Sequence, residues 1–137
     1  MKYIPLIGRI LFSLIFLSSG LMGHIMMASQ TAAYAASSGV PAPMAMVVIS
    51  GIIALLGALS IILGYKAKMG AWLIVIFLVP VTFMMHNFWT ITDPAQQMMR
   101  TMQMSMFMKN IALIGAALMI TYFGAGPVSI DASKQAK

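Results

Sequence analysis

Seven side chains have the chemistry to hold a polar ligand in apolar surroundings: His24, Thr82, His86, Asn87, Trp89, Lys109 and Asn110. An imidazole or a carboxamide can hydrogen-bond the carbonyl oxygen of a ring, an indole can stack on its face, and an ammonium favours a form that gains negative charge. Thr82, His86 and Trp89 follow one another at spacings of four and three, which places them on one face if the segment is helical. The same residues also have plain structural roles. A His or Asn near a helix end bonds neighbouring backbone, a Trp there belongs to the interfacial belt, and Lys109 can snorkel to the headgroups.

Catalysis by the chain alone is not indicated. Asp93 and Asp131 are the only acids, no cysteine is present, and neither a Gly-rich phosphate loop nor a nucleophile paired with a base is visible. Two histidines and Asp93 fall short of the three or four protein ligands that a transition metal usually takes. His24 and His86 could in principle ligate a haem together, yet no other haem signal accompanies them. Met98, Met99, Met102, Met104, Met106 and Met108 offer thioethers suited to Cu(I), but methionines two apart point all round a helix, and the 16 methionines are spread along the chain. The sequence leaves copper undecided. No metal site, no catalytic residue and no intrinsic cofactor are assigned.

The elements that must position these residues follow from composition. Of 137 residues 61% are hydrophobic and 7% charged, too few polar side chains to wet the surface of a soluble domain. A membrane span needs about 20 mostly apolar residues at about 1.5 Å each. Four segments qualify, at about 4–27, 44–64, 71–91 and 104–124, and together they predict one all-α domain over 1–137, a four-helix transmembrane bundle. The first run is too long for the apolar part of a signal peptide and reads as a retained helix. Residues 28–38 predict a short helix lying at the membrane surface with Tyr34 as its anchor, closed by Gly39-Val40-Pro41-Ala42-Pro43. Ser50, Ala54 and Ala58, with Gly51 and Gly57 beside them, form a small-residue stripe that lets helices approach. Pro80 should bend the third span, and the tail from Ser129 is expected to be partly disordered.

The net charge of +6 shows no basic stripe interleaved with aromatics, so nucleic acid is not an expected partner. The basic residues read as topology signals. One side collects Lys2, Arg9, Lys66, Lys68, Lys134 and Lys137, the other only Arg100 and Lys109 with Asp93 offsetting one charge. By the positive-inside rule both termini face the cytoplasm, and Arg9 is expected to snorkel to the cytoplasmic headgroups. His24, His86, Lys109 and Asn110 then gather in the outer leaflet, where they would form a shallow pocket.

Ser19-Gly20-Leu21, Tyr34-Ala35-Ala36-Ser37 with Gly39-Val40-Pro41-Ala42-Pro43, Gly57 to Gly64, His86-Asn87-Phe88-Trp89, Lys109-Asn110 and Gly124-Ala125-Gly126-Pro127 together resemble the DoxX family of small bacterial membrane proteins. The resemblance implies a four-helix bundle in the bacterial inner membrane. It also implies an association with thiosulfate:quinone oxidoreduction, with membrane oxidoreductase complexes and, more distantly, with a eukaryotic receptor-assembly chaperone. Ala54 stands where many members carry an acid, and Gly23-His24 where a lysine is common. The resulting expectation is a membrane subunit that binds a quinone or similar lipid beside a redox partner. The alternative is an accessory subunit that packs on a larger membrane complex without ligand chemistry.

Overall fold

A computed structural model describes residues 1–135; Lys137, one of the topology charges, lies outside the described residues. Helix α1 (Ile4–Ser18) opens on Pro5 in its first turn, where the missing N–H costs nothing, and runs on as a π-helix over Ser19–Met26. Helices α2 (Ala28–Ser37), α3 (Pro43–Leu63), α4 (Ala67–Met85) and α5 (Gln97–Phe123) follow, with short 3₁₀ turns at Phe88–Thr90 and Pro94–Gln96, and α6 (Ile130–Gln135) comes last. Four stretches are long and apolar enough to cross a membrane: Ile4–Met26, Pro43–Leu63, Ala67–Thr90 and Pro94–Phe123. The expected all-α bundle of four spanning helices is therefore present.

Helices α3 and α4 form the centre, with α1 packed on α3 and α5 on α4. The small-residue stripe faces α1 at its Ser50–Gly51 end and meets α4 at Gly57. Ala54, Ala58, Ala71 and Ile74 are fully buried, and a Cβ built on Gly57 would stand 2.9 Å from the carbonyl oxygen of Gly70. Lipid supplies no hydrophobic drive between helices, so backbone approach and van der Waals contact must supply it. Phe16 from α1 and Phe77 from α4 close this core edge to face, with ring centroids 6.3 Å apart.

Four expectations change. The third span stops being helical at Met85: His86 has φ −122° and ψ 43°, so His86 and Trp89 do not continue the face begun by Thr82. The Met85 carbonyl, left without a helical donor, accepts instead from the Tyr34 hydroxyl at 3.0 Å. Tyr34 is thus a tie between α2 and α4 rather than only an interfacial anchor. The fourth span begins near Gln97 rather than at 104; Asp93 Oδ1 accepts from the Ala95 N–H at 2.9 Å to start the turn, and Met and Gln propagate a helix well.

The two remaining differences belong together. The tail is ordered as α6, whose Asp131 accepts from the backbone N–H groups of Lys66 and Ala67 at 2.8 and 3.0 Å while donating its own N–H to Gly64 O at 2.8 Å. Asp131 therefore caps α4 from 64 residues away. Arg9 does not snorkel outward. It is 3% exposed and donates from Nη2 to Val128 O at 2.7 Å, covered by the same returning tail. Gly64, at φ +63°, leaves the space this needs, since a Cβ there would overlap Arg9 Nη1 and Ser129.

Candidate functional site

The π-helical end of α1 decides where His24 lies. Its i→i+5 bonding, closed by Met27 N–H donating to Met22 O at 2.9 Å, widens the turn. His24 Nδ1 thereby reaches Val47 O at 3.1 Å and Ser50 Oγ at 3.0 Å on α3. The Ser50 hydroxyl itself bonds Val47 O at 2.9 Å. His24, Ser50 and the Val47 carbonyl thus form one hydrogen-bonded group between the end of α1 and α3. The close approach is possible because residue 51 is Gly: a Cβ there would overlap the Cβ of His24.

His86 is placed by a second set of bonds. Its Nδ1 stands 2.7 Å from Gln103 Oε1, and Gln103 Nε2 donates to the Tyr34 oxygen at 2.9 Å. In both histidines Nδ1 faces a protein oxygen, and neither Nε2 has a hydrogen-bond partner among the described residues.

Both histidines line one cavity of about 350 Å³ between the end of α1 and helices α2, α3 and α4. The rest of its wall is mostly apolar, including Val47, Ile53, Phe77, Pro80 and Met84, with Thr31, Tyr34 and Ser50 adding hydroxyls. The volume is at the lower end of the roughly 300–1,000 Å³ usual for small-molecule sites. An apolar chamber with two imidazole rings in its wall suits the polar head of an amphiphile.

The other five proposed site residues do not line it. Thr82 is fully buried and donates back to Leu78 O at 2.6 Å. Asn87 precedes the 3₁₀ turn, where its carbonyl accepts from the Thr90 hydroxyl at 2.9 Å. Trp89 is 48% exposed and packs edge-on against Phe107 of α5 at 5.7 Å, in an aromatic group with Phe83 and Phe88. Lys109 is exposed on α5, and Asn110 is buried along the same helix. The spacing argument missed the contributions of Tyr34, Ser50 and Gln103. Ser50 stood in the small-residue stripe, and Tyr34 was noted only as an anchor.

Inner membrane protein YphA of Escherichia coli (strain K12) is 31% identical over 126 residues, covering 92% of this chain and 86% of that protein. Surfeit locus protein 4 homolog of Drosophila melanogaster is 35% identical over 88 residues, 64% of this chain and 32% of that much longer protein. No solved structure matches. The family model that matches is SURF4, which overturns the DoxX resemblance and removes the redox association that it implied. With all four apolar helices inside a match over residues 1–137, the chain is a multi-pass membrane protein and belongs to the SURF4 family.

Proposed function

We propose that the chain is an accessory subunit of the bacterial inner membrane, packing sideways on a larger membrane complex and contributing no reaction of its own. The flank of α5 carries this reading. Of its 27 residues only Asn110 and Ala117 are buried, while Met98, Met102, Met104, Met106 and Met108 are exposed. Among them Lys109 stands exposed, with the Met106 sulfur at 3.6 Å as its hydrogen-bond partner. An ammonium on a spanning helix is costly unless it snorkels or meets an acceptor from another chain, and thioether side chains adapt to an irregular partner surface. The name of the E. coli relative supports the inner-membrane placement. Extraction of native membranes in mild detergent followed by native electrophoresis tests the reading. Wild type should migrate in a discrete complex with a different protein, and Lys109→Glu with Met106→Ala should release it. Migration of wild type alone, or with copies of itself only, overturns the assignment.

The cavity favours a second reading, in which the polar head of a quinone or similar lipid enters between His24 and His86. His86→Ala should then weaken binding of a quinone analogue roughly tenfold, the effect of losing one hydrogen bond of about 1–2 kcal/mol. Wild type that binds no such analogue removes this reading and leaves the first intact.

A further inference from the structure

At the opposite end of the bundle from the two histidines, a second cavity of about 720 Å³ opens between the α3–α4 turn, the end of α5 and the returning tail. Three ammonium side chains line it: Lys66 and Lys68 from the turn and first residues of α4, and Lys134 from α6. Lys66 Nζ and Lys134 Nζ converge on the same Tyr65 ring, at 5.8 and 4.4 Å from its centroid. The methylene chain of Lys68 lies along the Gly124 backbone, where a Cβ would come within 3.3 Å of its Cε.

Like charges gathered in one concavity repel, and a fold tolerates that where a counter-charge is provided. Among the described residues the counter-charge is incomplete. Asp131 is the only acid in the cavity wall, and both its oxygens are already engaged by the Lys66 and Ala67 N–H groups. Among the described residues no hydrogen bond joins any of the three ammoniums to a carboxylate. Part of the rim is apolar: Met69 is 62% exposed and Phe123 71% exposed, and both line the cavity. Cations in a recess, with large apolar side chains beside them at the end of spanning helices, match a ligand carrying a phosphate next to an acyl chain.

We infer that this recess is a binding site for a phosphoryl head group, filled by an anionic phospholipid of the surrounding leaflet. Lys66, Lys68 and Lys134 supply the charge, and Met69 and Phe123 flank the first part of the acyl chains. Juxtamembrane lysines attract anionic lipid by roughly fivefold each, the equivalent of about 1 kcal/mol. Enclosure adds geometric selection to that attraction. The site is independent of both readings given above: its three lysines belong neither to α5 nor to the histidine cavity, and of α5 only the last residue, Phe123, reaches it.

The purified full chain, exchanged into detergent with phosphatidylglycerol or phosphatidylcholine, tests the site by native mass spectrometry. Wild type should retain phosphatidylglycerol over phosphatidylcholine. Lys68→Gln and Lys134→Gln should each lower that retention about fivefold, while Arg100→Gln, at the other end of the bundle, leaves it unchanged. A circular dichroism spectrum equal to wild type establishes that the variants are folded. Inorganic phosphate added in the millimolar range distinguishes the source. Retained lipid that phosphate does not displace supports filling from the leaflet, whereas phosphate binding alone, lost in the same two variants, supports the same recess filled from solution. Equal retention of the two lipids, or an equal loss in Arg100→Gln, overturns the site.

Discussion

Nδ1 of His86 stands 2.7 Å from Oε1 of Gln103, the first link of a chain of hydrogen bonds whose direction is set at its far end by the Met85 carbonyl. An amide oxygen accepts, so His86 donates; Gln103 Nε2 donates onward to the Tyr34 oxygen, and the Tyr34 hydroxyl donates to Met85 O. Helices α2 and α5 are thereby tied to the end of α4, at the mouth of the histidine cavity. Gln103→Leu keeps most of the volume and removes both polar atoms. Nitrogen-15 NMR of labelled histidine should find His86 protonated at Nδ1 in wild type and a mixture of tautomers in the variant, with a stability loss of about 1–2 kcal/mol. An unchanged tautomer in Gln103→Leu would mean that the bond does not set the ring.

Two glycines in spanning helices predict opposite outcomes from the same added methyl. A Cβ at position 51 overlaps His24, whereas one at position 115 on α5 meets nothing within 4 Å. Gly51→Ala should force α1 from α3, costing about 1–3 kcal/mol, the usual penalty of overpacking, and should disrupt the His24 bonds to Val47 and Ser50. Gly115→Ala should be neutral or stabilising by up to about 1 kcal/mol, because Gly is the poorer helix former. Thermal unfolding in detergent compares the two directly, and equal shifts would remove the packing explanation.

The spans were legible because their signal is gross: four apolar runs of sufficient length, with small residues of α3 where it meets α1 and α4. What could not be read were the departures from regular helix. The π-helical turn around His24 and the break at His86 both depend on partners distant in sequence, Val47 and Ser50 for one, Tyr34 and Gln103 for the other. A periodicity argument assumes continuous helix, so it put Thr82, His86 and Trp89 on one face that the backbone does not maintain. Arg9 was misplaced for the same reason: the tail that buries it returns from residue 128. The depth of the two histidines along their spans places them at one end of the bundle, where both line one cavity, whereas Lys109 and Asn110, grouped with them on the same argument, do not line it.

Asp131 joins the tail to the loop between the central helices. Its carboxylate accepts two backbone N–H groups at the start of α4, a region that no local side chain caps. Asp131→Ala should cost about 1–2 kcal/mol as a lost helix cap, and should also release the cover over the buried Arg9 guanidinium. Limited proteolysis at the tail reads out the second effect: faster cleavage after Lys134 in the variant is expected. Asp131→Asn, which keeps one acceptor oxygen, should lie between the two. Equal protection of all three would show that α6 is held by other contacts.

Orientation in the membrane is the last expectation, and the fold sharpens its charge count. Arg9, one of the residues first assigned to the terminal side, is buried and bonded to Val128 O, so it is not a free headgroup contact. Lys2, Lys66, Lys68 and Lys134 remain exposed at that end, against Arg100 and Lys109 with Asp93 at the other. The asymmetry survives the loss of Arg9, and the positive-inside rule still sends both termini to the cytoplasm. A phosphatase active only outside the cytoplasm should stay silent when fused after Lys137, while a fluorescent protein that matures only in the cytoplasm should glow there. Reducing the asymmetry tests the cause as well as the outcome: Lys66→Gln with Lys68→Gln, plus lysines at Thr92 and Gln96, should raise phosphatase activity in part of the population. The reverse pattern for wild type would put the histidine cavity near the cytoplasmic face and the lysine recess in the outer leaflet, where its anionic ligand would have to be sought instead.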